Sequence, residues 1–473
     1  MTSTSFIPTA APKAAPKAAP ETTVIYWFRN DLRLDDNPAL TQACHHASNL
    51  VLVYCHDPVI EKMTRWNVPR TSQHRQYFLA SALADLNAQL SLQDSQLLEI
   101  KGSAAERLPA FARDIGATTI YCEEIAAPEE QEEVAALRAA GLTVHTIWQS
   151  SLLDPSDLPF AVDALPDVFT SFRTSVERHE VQPPLPLPRP EKIPALPPAF
   201  AAVLAQRNKA DLLISRVLTT HTESALQAEL QAELQTQIYA DSRSSFPYFL
   251  PAFAGGATMA SAHLQQYFER KLAHTYKLTR NGLTGTDYST KFSPWLASGA
   301  MSARSAYLAL KEFEATHGAN DSTYWIWFEL LWRDYFRLLH LKYGRRLYLA
   351  QGLTSLPPPT HCARRFDTWC QARTGEPLVD AGMAELAATG YLSNRLRQIV
   401  ASYLIHDLGC DWRAGAAWFE SQLIDYDVYS NQGNWLYIAG RGTDPRNGRR
   451  FNIQKQVHDH DRDGTYRALW NAQ

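Results

Sequence analysis

The sequence predicts two structural classes in one chain: an N-terminal α/β domain with a doubly wound parallel sheet, and a large all-helical C-terminal domain. Three observations carry this. From Val24 to about residue 150, short apolar runs alternate with helical stretches; beyond Tyr276 strand signals nearly vanish; between the two lies a long proline-bearing connector. Strands that alternate with helices imply a parallel sheet, because the chain needs a crossover to start each parallel neighbour.

Residues 1–22 contain AAPKAAPKAAPE, a low-complexity Ala/Pro/Lys tail that cannot pack a core. Disorder is the expectation, with a transit peptide as the lesser alternative. The α/β domain is placed at 23–150. Its strands are expected at VIYWF (24–28), LVLVYC (50–55), LLEI (97–100), TIYC (119–122) and TVHTIW (143–148), with helices near 72–90 and 130–140. No GxGxxG follows the first strand and no GxxxxGK[ST] occurs, so the usual nucleotide-binding loops are missing. The connector spans 151–275. Its PPLPLPRPEKIPALPP (183–198) is half proline and should run extended, and 203–240, with QAELQAELQ, reads as polar helix. The helical domain, 276–473, carries SARSAYLALKEFE, WIWFELLWRDYFRLLHLKY and NRLRQIVASYLIHDL.

Composition bounds the function classes. A chain of 473 residues, 45% hydrophobic, can bury large cores, and no apolar run approaches the ~18 residues of a membrane span. The protein is expected in the cytoplasm, as a monomer, with organellar targeting by the tail as the alternative. Six scattered cysteines without a CxxC pair point to reduced thiols and to no metal site. From Tyr276 onward there are 23 Lys+Arg against 19 Asp+Glu, a balance of +4 in a chain of net −4. A basic half on an acidic protein allows a local phosphate-binding face.

Three segments of the helical half carry chemistry. In YKLTRNGLTGTDYSTKFSPWLASG a hydroxyl-rich loop runs into an apolar helix, and Ser289, Thr290, Ser293 and Lys291 would suit a diphosphate. A capped helix start without ligand is the bland alternative. In STYWIWFELLWRDYFR, Glu329, Trp332, Arg333 and Phe336 fall within two turns, combining an acid with a flat aromatic face. In SQLIDYDVYSNQGNWLYIAG, Asp425 and Asp427 sit in a stretch without any base, and Arg397 on the preceding apolar helix is the candidate partner for Asp425. Such a pair serves structure equally well.

WFRNDLRLDDNPAL, STKFSPWLASG, ELLWRDYFR, TGEPLVDAGMAEL, SNRLRQ, DWR and LIDYDVYSNQGNW occur in the order of the photolyase/cryptochrome flavoproteins. Within that family, LLWRDYFR, NRLRQ and DYDVYSNQGNWLY most resemble cryptochrome DASH. The resemblance implies an α/β antenna domain and a helical domain that binds FAD. It implies that Tyr276 and the Ser289, Thr290, Lys291, Phe292, Ser293 loop contact the flavin phosphates and ribitol, that Arg397 and Asp425 pair beside the flavin ring, that Asp427 faces its polar edge, and that Asn431 lies near N5. It also implies blue-light-driven repair of cyclobutane pyrimidine dimers, with Glu329, Trp332 and Asn394 in the lesion pocket. Gln398 and Tyr437 stand where photolyases acting on duplex DNA carry Met and Trp, so a preference for single-stranded DNA is expected. Arg280, Arg333, Arg395 and Arg441 are candidate phosphate contacts at the pocket mouth.

Two further expectations come with the resemblance. Trp435 and Trp412 match the first two members of a tryptophan chain for photoreduction, but the third position falls on Pro359; Tyr348 and Tyr391 are candidate replacements, and photoreduction is expected to lean on external reductant. A folate antenna, 5,10-methenyltetrahydrofolate, is implied near YCEEIAAPEE, with Glu124 as contact; an acidic helix start is the alternative. The competing functions are a non-repair blue-light sensor and a duplex-DNA photolyase. Retention of Glu329, Trp332 and Asn394 argues against the first, as does the expected lack of a long tail beyond Gln473; Gln398 and Tyr437 argue against the second.

Overall fold

A computed structural model describes residues 22–206, 212–214, 241–444, 446 and 448–471. The five expected strands form β1 (Thr23–Phe28), β2 (Asn49–His56), β3 (Leu97–Lys101), β4 (Thr119–Glu123) and β5 (Thr143–Ile147), all parallel. These five run in the order β5-β4-β1-β2-β3. Alternate residues of β1 and β2 point to opposite faces. Ile25, Trp27, Val51 and Val53 pack with Leu108 and Phe111, whereas Val24, Tyr26, Leu50 and Leu52 pack with Leu83 and Leu86. Helices cover both faces, which is why these strands read as continuous apolar runs rather than alternating ones.

One expectation fails here. The stretch 203–240, expected as polar helix, holds β6 (Leu212–Ile214), which adds antiparallel to the β3 edge. The Phe200–Gln206 helix precedes it, and 207–211 and 215–240 lie outside the described residues. Three consecutive apolar residues were enough for a free sheet edge to recruit them. The 183–198 segment has no helix or strand, as its prolines require. A further helix, Ala257–Glu269, packs against Ala303–His317 and so extends the helical body into the expected connector.

The helical half is organised around Asp321–Tyr343, 23 residues and so roughly 35 Å long. A reciprocal Asn320/Thr323 capping box starts it, satisfying amides that the first turn leaves free. Pro377–Thr389, Asn394–Ser402, Trp412–Gln422 and Val428–Ala439 pack around a core in which Trp369, Trp412 and Trp435 are fully buried. The last two helices meet closely at Gly415, where a Cβ would lie 2.1 Å from the Trp435 ring. Only glycine admits that approach.

The two halves meet at the carboxyl ends of β1 and β4, the point where strand order reverses and ligand crevices form in such sheets. Leu32 N–H donates to Ser298 O at 3.2 Å and Arg33 Nη1 to Gly299 O at 2.8 Å. Gly299 has φ +71°, and a Cβ there would meet Asn30 O at 1.9 Å, so the contact demands glycine twice over. Asp334, fully buried on the long helix, accepts from both Leu152 N and Leu153 N at 2.7 Å. Arg333 Nη1 donates to Ser150 O at 2.6 Å, and Arg337 pairs with Asp427 across to the start of Val428–Ala439.

Two predictions follow from these buried charges. Arg337→Leu leaves Asp427 buried without its closest cation and should cost about 3–5 kcal/mol in urea unfolding, whereas Arg337→Leu/Asp427→Leu should cost less than the single change; a double variant at least as unstable as Arg337→Leu would refute the pairing. The second concerns Glu385, fully buried, which accepts from Tyr466 Oη at 2.6 Å and Ser245 Oγ at 3.1 Å. Burial pushes its carboxyl up to about 7, the hydrogen bonds pulling the other way. Between the unfolded carboxyl value and about 7 the native state holds a proton that the unfolded chain releases, so stability falls as pH rises through that window. Tm of the wild type should drop from pH 5 to pH 8 more steeply than that of Glu385→Gln, and parallel profiles would refute it.

Candidate functional site

The long helix, the Asn394–Ser402 helix and the Val428–Ala439 helix enclose a cavity of about 390 Å³. Two smaller compartments adjoin it, about 200 Å³ along the 288–293 loop and about 100 Å³ toward Trp435. Shared walls make them one site: Asn394, Arg397 and Asp425 line all three.

Residues on one face of the long helix build the outer wall. Glu329, Trp332, Arg333 and Phe336 are spaced three and four apart, so they share a face. Glu329 Oε1 pairs with Arg280 Nη2 at 2.6 Å. Enclosure raises the Glu329 pKa and Arg280 opposes the rise. The Trp332 ring is stacked by Phe169 at 3.7 Å between centroids, and Tyr437 meets it edge-on at 5.6 Å. Phe169 comes from the connector, and nothing in its sequence surroundings marks it.

The inner wall carries the charges. Arg397 Nη2 donates to Asp425 Oδ2 at 2.8 Å, and its Nε donates to Leu392 O at 2.8 Å. Burial works against the guanidinium charge, but Asp425 more than restores it. Asp427 accepts from Ser430 N at 2.7 Å as the N-cap of Val428–Ala439. Burial alone would raise its pKa; Arg337 and Arg333 outweigh that and hold it at about 2. The expected polar-edge residue thus has a partner that the sequence reading missed. Arg337 lies four residues after Arg333 on the same face, so helical spacing was the available signal.

The smaller compartments hold the other expected cofactor residues. Tyr276, Thr290, Phe292 and Ser293 line the main cavity and the 288–293 compartment; Ser289 and Lys291 line the latter. Asn431 and Trp435 line the third compartment, with Asn431 Nδ2 donating to Ala416 O at 3.1 Å. Trp412 lies outside the lining, its Nε1 donating to Ala350 O at 3.1 Å. Gln398 lines the cavity and its Oε1 accepts from Arg395, which also donates to Asn281 at the rim.

Two of the expected phosphate contacts have backbone partners. Arg333 lines the cavity while its guanidinium donates to Ser150 O and Leu296 O. Arg441 lines none of the three compartments and donates to Pro357 O at 2.9 Å. Glu124 lies just beyond β4, away from the cavity; burial raises its carboxyl pKa. Among the described residues no helix is long and apolar enough to cross a membrane.

The cavity has the chemistry of a site for a large anion with a flat ring. Lys291 Nζ is buried without a hydrogen bond, and the Tyr288 hydroxyl and Asp425 Oδ1 are likewise buried without one. The ammonium lies 3.4 Å from the Tyr288 ring centroid and 4.9 Å from that of Tyr391. Burial lowers its pKa well below the usual lysine range. A diphosphate in the 288–293 compartment would supply the missing partner, and hydroxyls of Ser289, Thr290 and Ser293 are at hand.

Comparison with known proteins gives the same reading. The FAD binding domain of DNA photolyase matches residues 325–473, and the DNA photolyase domain matches 24–191. Cryptochrome DASH of Gloeobacter violaceus is 42% identical over 454 residues, covering 95% of this chain and 85% of that protein. Cryptochrome DASH of Xenopus laevis is 42% identical, covering 94% and 82%. The crystal structure of a Synechocystis sp. PCC6803 cryptochrome superposes with a TM-score of 0.83 at 40% identity, covering 96% of this chain and 89% of that one. Fold, motif order and these relatives agree: the chain belongs to the photolyase/cryptochrome family, in its cryptochrome DASH branch.

Proposed function

We propose that the protein binds FAD and uses blue light to repair cyclobutane pyrimidine dimers, preferentially in single-stranded DNA, acting as a monomer in the cytoplasm. One observation carries the reading: Glu329 and Trp332 on one wall and Arg397, Asp425 and Asp427 on the other line a single cavity, so a ring held by the second set would touch a base held by the first. When bound and reduced, the flavin supplies a light-driven electron to the lesion. Tyr276, Ser289, Thr290, Lys291, Phe292 and Ser293 would hold its phosphates and ribitol, and Arg397, Asp425, Asp427 and Asn431 its ring.

The residues of the outer wall select and hold the lesion. Trp332 offers an apolar face already rigidified by Phe169, which lowers the cost of ordering it on binding. Glu329, paired with Arg280, accepts from a pyrimidine imide N–H; in its protonated form, which enclosure favours, Oε–H donates to a pyrimidine carbonyl instead. Asn394 adds an amide at the mouth. Single-strand preference rests on the mouth as well. Gln398 is tied to Arg395, and Tyr437 is tied to Arg449 through its hydroxyl, so neither replaces the stacking that extrusion from a duplex forfeits. Extrusion costs a few kcal/mol in duplex DNA and least in a single strand. Arg280 and Arg395 are the remaining proposed phosphate contacts. A folate antenna contacting Glu124 is proposed for light harvesting.

Two outcomes are expected. At fixed salt, the photoreduced protein repairs a dimer in a single-stranded oligonucleotide at least about tenfold faster than in the matched duplex, and Asn394→Ala and Glu329→Ala each lose about 10- to 100-fold in kcat/KM, the scale of a hydrogen bond involving a charged or buried group. Equal rates on the two substrates would refute the preference; no repair on either, with flavin fully reduced, would leave a sensor. Glu124→Gln should abolish folate binding at unchanged flavin content, and retained folate would refute that contact.

A further inference from the structure

We infer that a slot behind the Trp332–Tyr437 wall takes the base next to the lesion, a single-ring pyrimidine on the same strand. The inference rests on the repair reading above and names a feature by which that site would select single-stranded DNA. The slot holds about 120 Å³ and shares Trp332, Phe336 and Tyr437 with the main cavity. One layer of side chains therefore divides the two spaces, so neighbouring bases of one strand can occupy both. Phe169 and Tyr335 join those three rings in the lining. Asp167, Val168 and Thr170 stand exposed on one lip, and Arg446 on the other.

The lining suits a flat ring held by stacking rather than by hydrogen bonds, because its inner polar groups are already engaged. Tyr335 Oη donates to Asp167 O and lies 3.1 Å from Thr443 Oγ1. His340 Nδ1 donates to Phe336 O at 2.7 Å, with Nε2 3.2 Å from the Tyr348 hydroxyl. Asp444 Oδ2 accepts from Arg449 Nε at 2.6 Å, and Arg449 Nη2 donates to the Tyr437 hydroxyl. This chain of contacts holds the dividing Tyr437 ring in place, and the slot stays open beside it. Size sets the rest. An apolar cavity of about 150 Å³ holds a benzene ring, so this smaller one, open at its lip, fits one six-membered ring and crowds a fused purine. Stacking on aromatic side chains attracts any base that fits, whatever its edge.

Arg446 supplies the backbone contact. Its main-chain N–H donates to Asp444 Oδ1 at 3.2 Å, and its exposed guanidinium has no hydrogen bond or ion pair among the described residues. At the lip it meets the phosphate that joins the lesion to the captured base. Duplex DNA gains nothing from the slot. The neighbouring base there is paired and stacked, and turning it out repeats the cost already met for the lesion. A single strand offers the same base unpaired. The slot therefore separates the two forms of substrate by a contact that lies outside the lesion pocket.

The test is binding in the dark, without turnover, of labelled dimer-bearing oligonucleotides to the full-length, flavin-loaded protein, read by fluorescence anisotropy. An abasic site on one side of the dimer should weaken single-strand binding about tenfold, and one on the other side by less than about twofold. At the sensitive position thymine and cytosine should bind alike, and adenine or guanine at least about threefold more weakly. Val168→Trp and Thr170→Trp plug the lip; at unchanged flavin content and Tm, each should remove the abasic effect and leave duplex affinity as it was. Arg446→Ala should lower the salt slope of single-strand binding by about one, and an unchanged slope overturns its phosphate contact. Equal binding with either neighbour removed, purines preferred at the position, or an abasic effect that survives both plugs overturns the slot and leaves the repair reading standing. No preference for the dimer strand over the undamaged one overturns the repair reading, and the slot with it.

Discussion

The pair between Arg337 and Asp427 is the constraint on which the rest of the site depends. Arg337 is almost completely buried, and an unpaired guanidinium there would cost several kcal/mol. Pairing with Asp427 fixes the long helix against the N-terminal turn of Val428–Ala439, the helix that carries Asn431, Trp435 and Tyr437. One turn away, Asp334 and Arg333 fix the same helix to backbone of residues 150–153. The helix is thus held by charge on its junction side, which leaves Glu329 and Trp332 free to form the cavity wall. Glu329 and Trp332 therefore need no bound molecule to stay in place.

The same electrostatics shape the cavity's preference. Arg397 with Asp425 and Arg337 with Asp427 are matched pairs, so the inner wall carries fixed dipoles rather than net charge. Lys291 is the exception, a buried amine offset only at a distance, by Glu385, Asp287 and Asp425, and without a hydrogen bond. An anion entering the 288–293 compartment gains a partner that the protein has already desolvated, while the ring-side compartment stays close to neutral. A molecule with a charged end and a flat, redox-active end fits that division better than one charged throughout.

Much of this was legible in the sequence, and the misses have physical causes. The five parallel strands are continuous apolar runs because both sheet faces are buried, and Glu329, Trp332 and Phe336 share a face by helical spacing alone. β6 was missed because three residues at a sheet edge owe their conformation to the neighbour they pair with. The backbone partners of Arg333 and Arg441 were hidden for a related reason: an arginine that caps backbone carbonyls and one that meets phosphate look alike until the carbonyls are in position. Phe169 was invisible for want of any local pattern, since it matters through the Trp332 ring, supplied by a distant part of the chain.

Close packing around two glycines ties these features into one mechanical unit. A Cβ at Gly415 would enter the Trp435 ring, and one at Gly433 would lie 2.1 Å from the Phe336 ring. Val428–Ala439 is therefore pressed between Trp412–Gln422 on one side and the long helix on the other, with no room for either indole or phenyl ring to rotate. Trp435 also meets Phe419 edge-on at 5.0 Å, and Phe419 stacks against Trp369. A ring that cannot reorient keeps a fixed distance to whatever occupies the compartment beside it. Tight packing at Gly415 and Gly433 thus does for the rings what the Arg337 pair does for the helix: it sets the geometry before any ligand arrives.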